Sequence, residues 1–153
     1  ILRSFKDNVD KFAENPEAVR IISGDSMVLR PERVSALSVN GGYRLISVDG
    51  GHTAEHVMND LGLASRLVVG GGAIFLDDFH NPHWPGVYEG FIRFMMHANS
   101  NLAPVLYADN KLMLTTIPHQ PSMMDFMRQN FIPYEGRYLA DVASFGFRYL
   151  ASN

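Results

Sequence analysis

Acidic side chains follow two short apolar runs of this sequence. Asp49 directly follows one run, and Asp77 and Asp78 directly follow the next run along the chain. If the two runs form neighbouring parallel strands, the three carboxylates meet at one edge of a sheet, with His52 three residues beyond Asp49. Open α/β sheets place their ligands and chemistry outside the carboxyl ends of the strands. The four side chains (the acid rim) are therefore the first candidate for a functional site.

Three carboxylates at one edge repel one another. Two unit charges about 4 Å apart interact by about 4 kcal/mol at an effective dielectric constant near 20. Protonation of one acid, a basic residue or a bound cation would relieve this repulsion, and no Lys or Arg lies within either strand-end segment. Oxygen ligands suit a hard ion such as Mg²⁺ better than zinc, which prefers nitrogen and sulfur. The structural alternative is that these are turn and capping residues, for which Asp is common.

His52 is suited to act as a general base. An unperturbed imidazole has a pKa of about 6.5, and His52 lies about one turn from the predicted cation. His52 and His56 are also four residues apart, as in zinc-binding helices, but the Glu that would follow the first His in a zinc protease is missing. The alternative is a capping or surface histidine at the start of a helix.

Strands and helices alternate along the chain, which predicts an α/β fold. Apolar residues at helical spacing and capping residues predict helices at 2–12, 31–37, 86–98 and 122–130. A further helix is predicted to follow Thr53 and to end at the break Gly70–Gly72. Apolar and β-branched runs predict strands at 19–23, 43–48, 73–76, 102–108 and 111–116 and near 145–150. The expected sheet is mostly parallel, with one antiparallel strand at an edge where 111–116 folds back as a hairpin.

The composition is that of one globular domain. The 153 residues are 46% hydrophobic and 19% charged, and the net charge of −3 argues against a nucleic-acid partner. The lack of cysteine favours a reducing, cytoplasmic setting, and no apolar stretch approaches the roughly 20 residues that span a membrane. The sequence leaves the oligomeric state open, but the aromatic residues Phe145, Phe147 and Tyr149 could pack against a partner and so form a homo-oligomer.

Two longer motifs contain the acid rim. They are Val48-Asp49-Gly50-Gly51-His52-Thr53-x-Glu55-x-Val57-x-x-Asp60-Leu61 and Gly71-Gly72-Ala73-x-x-x-Asp77-Asp78-Phe79, the second continuing as Asn81-Pro82-x-Trp84-Pro85-Gly86-Val87-x-Glu89-Gly90. Together they resemble the class I S-adenosylmethionine (SAM)-dependent methyltransferases, in particular the metal-assisted O-methyltransferases that include enzymes acting on sugars of natural products. The resemblance covers about residues 19–116 and implies a Rossmann-like fold.

The resemblance also implies roles for individual residues. Asp49, Asp77 and Asp78 would hold a divalent ion that binds neighbouring oxygens of the acceptor, and His52 would be the base. The turn Gly24-Asp25-Ser26 would contact the adenine of SAM. The expected activity is Mg²⁺-assisted transfer of a methyl group from SAM to a hydroxyl of a small molecule, such as a sugar or a polyketide.

One part of the family pattern has no counterpart here. The first strand with its Gly-rich SAM loop, and the acidic residue that ends the second strand, are not found, and Ile1 falls in the helix that should follow that second strand. We therefore expect a partial domain, residues 1–153, of a longer chain. The alternatives are a non-catalytic binding module with this fold, and a metal-dependent hydroxylase or hydrolase that works without SAM.

Overall fold

The strands form one mixed sheet in the order β1-β2-β4-β3-β6-β5 in a computed structural model that describes residues 2–38, 41–97, 100–130, 138–144 and 146–152. The helices are α1 (Leu2–Phe12), α2 (Pro31–Ser35), α3 (Ala54–Leu67), α4 (Pro85–Met96) and α5 (Gln120–Asn130). The strands are β1 (Tyr43–Val48), β2 (Val68–Leu76), β3 (Leu102–Ala108), β4 (Lys111–Thr116), β5 (Leu139–Ser144) and β6 (Phe147–Ser152). None of the helices within these ranges has the length and apolar character needed to cross a membrane.

The antiparallel strand β4 lies inside the sheet, so the expectation of a mostly parallel sheet with an antiparallel edge is wrong. β1 and β2 are parallel, as are β3 and β6, but β4 runs antiparallel to both β2 and β3, and β5 to β6. The two-residue turn Asp109-Asn110, in which both residues have positive φ, 47° and 68°, forms the predicted hairpin and folds β4 back along β3. Every residue of β4 after Lys111 is buried, however, so the strand lies between β3 and β2 and not at an edge.

Both faces of the sheet are covered by helices. Along β2, Ile74 and Leu76 join the core that includes α3 and α4, whereas Ala73 and Phe75 join the core that includes α5. This alternation follows from the two-residue period of a strand. The predicted inner stripe of α3 is confirmed, because all of its members are at most 5% exposed: Val57, Leu61, Ala64 and Leu67.

Helices α3 and α4 approach each other closely at Gly90. A Cβ atom built on Gly90 would lie 2.7 Å from the carbonyl oxygen of Ala54 and 2.7 Å from Cβ of Val57. We expect Gly90→Ala to lower the free energy of unfolding by about 1–3 kcal/mol through overpacking, although alanine in a helix interior is normally about 1 kcal/mol better than glycine. Urea unfolding measures this change.

The matched control for this prediction is Gly62 on α3. A Cβ atom there would meet nothing within 4 Å, so Gly62→Ala should raise stability by up to about 1 kcal/mol through helix propensity. A Gly90→Ala variant that is as stable as the wild type would contradict the close packing of the two helices.

The glycine triplet lies inside β2, so the predicted strand 73–76 begins too late. α3 ends at Leu67 and β2 starts at Val68. Tyr43 pairs with Val68 but Leu45 pairs with Ala73, so β2 carries additional residues at this point. Gly71 has φ 74°, a conformation that glycine adopts at no steric cost. The triplet thus forms an irregularity within the strand instead of the predicted break between helix and strand.

The structure differs from the sequence prediction at one expected strand and at one strand that was not expected. Residues 19–23 are exposed and belong to no strand, because no described strand pairs with them. β5 was not predicted. Of the three aromatic residues expected to meet a second copy, Phe145 lies outside the described residues, and Tyr149 is 8% exposed and buried within its own chain. The homo-oligomer stays a prediction.

Candidate active site

The carboxyl ends of β1 and β2 lie side by side, as the sequence predicted. Val48 pairs with Leu76 in parallel register, and the backbone N–H of Asp77 donates to the carbonyl of Val48 at 3.0 Å. The residues that follow the two strands therefore meet. One potential ligand atom from each of Asp49, His52 and Asp78 lies within 4.8 Å of the others.

Asp78 is held by three side chains. Its Oδ1 accepts hydrogen bonds from the amides of Asn81 at 2.8 Å and Asn110 at 2.9 Å, and its Oδ2 lies 3.1 Å from Nε2 of His52. These hydrogen bonds, of which that from Asn81 contributes most, lower the pKa of Asp78 against the opposing effect of burial. Asp78 is therefore an ionised acceptor at neutral pH.

The His52 ring is fixed from two sides. Its face stacks on Trp84, with the ring centroids 4.4 Å apart and the planes inclined by 20°, and its edge meets Asp78. His52 precedes α3, whose cap is Thr53, as predicted. His56 lies within α3 and its Nδ1 is 2.8 Å from the Thr53 hydroxyl, so it serves the helix cap.

Asp77 is paired with a basic residue that the sequence could not place. Nζ of Lys111 donates to Oδ2 of Asp77, and Oδ1 of Asp77 accepts from the backbone N–H of Asp78 at 2.9 Å. The bond to Asp77 is the main cause that raises the pKa of Lys111. Repulsion among the carboxylates can be relieved by protonation, by a basic residue or by a bound cation. At Asp77 it is relieved by a basic residue, Lys111.

Lys111 reaches the acid rim through the pairing of β2 with β4. Leu76 pairs with Leu112, which places Lys111, the first residue of β4, beside the end of β2. The only signal in the sequence is a basic residue directly after a tight turn, and this signal becomes useful only once β4 is known to neighbour β2.

A cleft of about 630 Å³ opens beside the end of β1. Ser26, Asp49 and Gly50 line it, and most of the remaining wall is apolar. Of the predicted SAM turn, Ser26 thus borders the same cleft as Asp49. Asp25 caps the following short 3₁₀ turn by accepting from the N–H of Met27 at 2.9 Å. A Cβ atom on Gly24 would meet nothing within 4 Å.

A sheet covered by helices on both faces, with polar side chains and a cleft at the carboxyl ends of neighbouring parallel strands, defines a Rossmann-like α/β domain. A family model described as "Methyltransferase domain" matches residues 2–79, which is just over half of the chain. The matched region includes β1, α3, β2 and the whole acid rim. The chain belongs to this methyltransferase family.

Membership in this family implies SAM as the methyl donor and confirms the predicted methyltransferase. No curated protein matches the chain. Metal assistance, O-methylation and the acceptor stay predictions.

Proposed function

We propose that this protein transfers the methyl group of SAM to a hydroxyl of a small molecule of the sugar or polyketide type, with the help of a divalent cation. The observation that carries the proposal is the grouping of Asp49, His52 and Asp78 within 4.8 Å, beside a cleft that Asp49 also lines. An acceptor hydroxyl placed there would lie next to both a base and a cation site.

The cleft fits the adenosyl part of SAM. Its volume of about 630 Å³ lies within the usual range of about 300–1,000 Å³ for ligand pockets. Apolar residues such as Ile22 and Leu63 line it together with Ser26, which suits a flat purine with a polar edge. We assign Gly24, Asp25 and Ser26 to the adenine end. When bound, SAM supplies a methyl group made electrophilic by its positive sulfur.

The acid rim fits a hard cation such as Mg²⁺. Asp49, Asp77 and Asp78 are the proposed ligands, and carboxylate oxygens are the donors that Mg²⁺ prefers. Because Lys111 binds Oδ2 of Asp77 and three side chains bind Asp78, the exposed Asp49 offers the more accessible oxygens. The cation supplies charge that lowers the pKa of the acceptor hydroxyl and fixes its orientation.

His52 is the proposed base. It takes the proton from the acceptor hydroxyl, so that the O–H bond breaks, an N–H bond forms on the imidazole, and the acceptor oxygen becomes the nucleophile. The resulting imidazolium is stabilised by the Asp78 carboxylate, 3.1 Å away. Holding the reactants in line can contribute about 7–11 kcal/mol, so the main task of the remaining residues is alignment.

Asp49→Asn tests the role of the cation. We expect Mg²⁺ affinity to fall at least about tenfold and stimulation of methyl transfer by Mg²⁺ to disappear, while SAM still binds, because the cleft wall keeps its shape. Calorimetric titrations with MgCl₂ and with SAM, together with transfer of labelled methyl from SAM at varied Mg²⁺, measure the three quantities.

Asp125→Asn is the matched control, since it removes one exposed carboxylate from α5 and should leave all three quantities unchanged. Full Mg²⁺-stimulated activity in both Asp49→Asn and Asp77→Asn would show that the ligand set is wrong.

The same assays separate the other classes of function. If the full-length protein binds neither SAM nor Mg²⁺, the proposal fails in favour of a non-catalytic module. Turnover of a small molecule without SAM would instead support a metal-dependent hydrolase or hydroxylase.

A further inference from the structure

We infer that Asn110, in the turn between β3 and β4, is a positioning residue that acts through Asp78 on His52 and leaves Nδ1 as the nitrogen that takes the acceptor's proton. This inference rests on the proposed function for the role of His52. It adds a residue from a distant turn to the site and specifies one atom of the base.

Asn110 binds each of the three residues that follow Asp77. Its side-chain N–H donates to Oδ1 of Asp78 at 2.9 Å, its backbone carbonyl accepts from the N–H of Phe79 at 2.9 Å, and its Oδ1 accepts from the N–H of His80 at 3.2 Å. Asn81 also donates to Asp78, but it belongs to the same loop and would move with it. Asn110 connects this loop to a different part of the sheet.

The backbone at this contact is held in an uncommon conformation. Among the described residues, the non-glycine residues with positive φ are Asp78 at 55°, Asp109 at 47° and Asn110 at 68°. Such conformations are unfavourable for non-glycine residues and persist where neighbouring groups fix them. One hydrogen bond of Asn110 joins it directly to Asp78, and the other two bind the residues that follow Asp78, so the turn and the loop hold each other in place.

The orientation of Asp78 determines which nitrogen of His52 is protonated. An ionised carboxylate only accepts hydrogen bonds, so Nε2 of His52, 3.1 Å from Oδ2 of Asp78, carries the hydrogen. In a neutral imidazole the other nitrogen, Nδ1, then holds the lone pair that can accept a proton. The stack with Trp84 keeps the ring plane fixed. Each carboxylate oxygen has about two acceptor sites, so Oδ2 can still bind a cation.

Two substitutions of Asn110 test this chain of contacts. Asn110→Asp keeps the shape and the tolerance for positive φ but faces Asp78 with a second carboxylate. Asn110→Gly keeps the turn and the backbone carbonyl and removes only the amide. Asp109→Gly is the control, because it also puts glycine at a left-handed position of this turn but leaves the Asn110 amide in place.

The readouts are ¹⁵N NMR of the His52 imidazole in the ligand-free full-length protein and steady-state kinetics. We expect His52 to be mainly the Nε2–H tautomer in the wild type and in Asp109→Gly, and a mixture of tautomers in both Asn110 variants. In these variants kcat should fall about 10–100-fold, as for other residues that orient a catalytic group, with KM for SAM unchanged.

The possible failures are distinguishable. If the wild type transfers methyl groups and both Asn110 variants keep its tautomer and its kcat, the inference is overturned. If the wild type has no methyltransferase activity, the proposed function fails, and the tautomer comparison still decides whether Asn110 positions His52. Should Asn110→Asp unfold, Asn110→Gly decides alone.

Discussion

His52→Gln lowers kcat by about 10²–10⁴-fold, the usual contribution of a general base. Glutamine has a similar length and can still donate to Oδ2 of Asp78, but its amide cannot accept a proton near neutral pH. The expected loss is therefore in the proton transfer and not in the binding of SAM. Transfer of labelled methyl from SAM to a panel of small hydroxyl compounds, with and without Mg²⁺, measures kcat, and calorimetry measures SAM affinity.

His83→Gln is the matched control for this prediction. His83 is an exposed histidine in the loop between β2 and α4, and its backbone N–H, which donates to Asn81, survives the substitution. This variant should keep the kcat of the wild type. A His52→Gln variant with wild-type kcat would mean that the acceptor loses its proton to solvent and that His52 has only a structural role.

Phe79→Ala is expected to lower the free energy of unfolding by about 3–5 kcal/mol, as for other buried aromatic residues. Phe79 is 1% exposed and its ring meets that of Phe91 edge-on, with centroids 5.0 Å apart and planes at 88°. It also contacts Tyr107 and Tyr88. Removal leaves a cavity that the surrounding rings, held by the helix and the sheet, fill poorly.

Phe79→Ala should also reduce activity, because Phe79 directly follows Asp78 and its N–H is bound by Asn110. Urea unfolding and kcat are measured on the same preparations. Phe79→Leu, which keeps much of the volume, should lose less than about 1.5 kcal/mol, and Phe126→Ala, where the ring is 54% exposed, should lose far less than Phe79→Ala. A loss below about 1 kcal/mol in Phe79→Ala would contradict the anchoring of this loop by the core.

Local sequence patterns are sufficient to predict the parts of the site that depend on a few neighbouring residues. The strand 43–48, the Thr53 cap and the buried stripe of α3 follow from apolar spacing and capping chemistry over a few residues. These elements place Asp49 and His52, and the apolar run before Asp77 identifies the second strand end. The same local signals failed at residues 19–23, where a β-branched run has no described partner, and at the glycine triplet, where only the register with β1 reveals the irregularity in β2.

The contacts that these side chains make follow from the packing of distant parts of the chain. Lys111 and Asp77 are 34 residues apart, and Asn110 and Asp78 are 32 apart, while Trp84 reaches His52 from the start of α4. The contacts of Lys111 and Asn110 depend on β4 entering the sheet beside β2 in one register, and the contact of Trp84 depends on the packing of α4 against α3. A shift of one residue would turn every side chain of β4 to the other face. Local patterns do not encode that register. It is fixed by the packing of both faces of the sheet and by the turn at Asp109-Asn110.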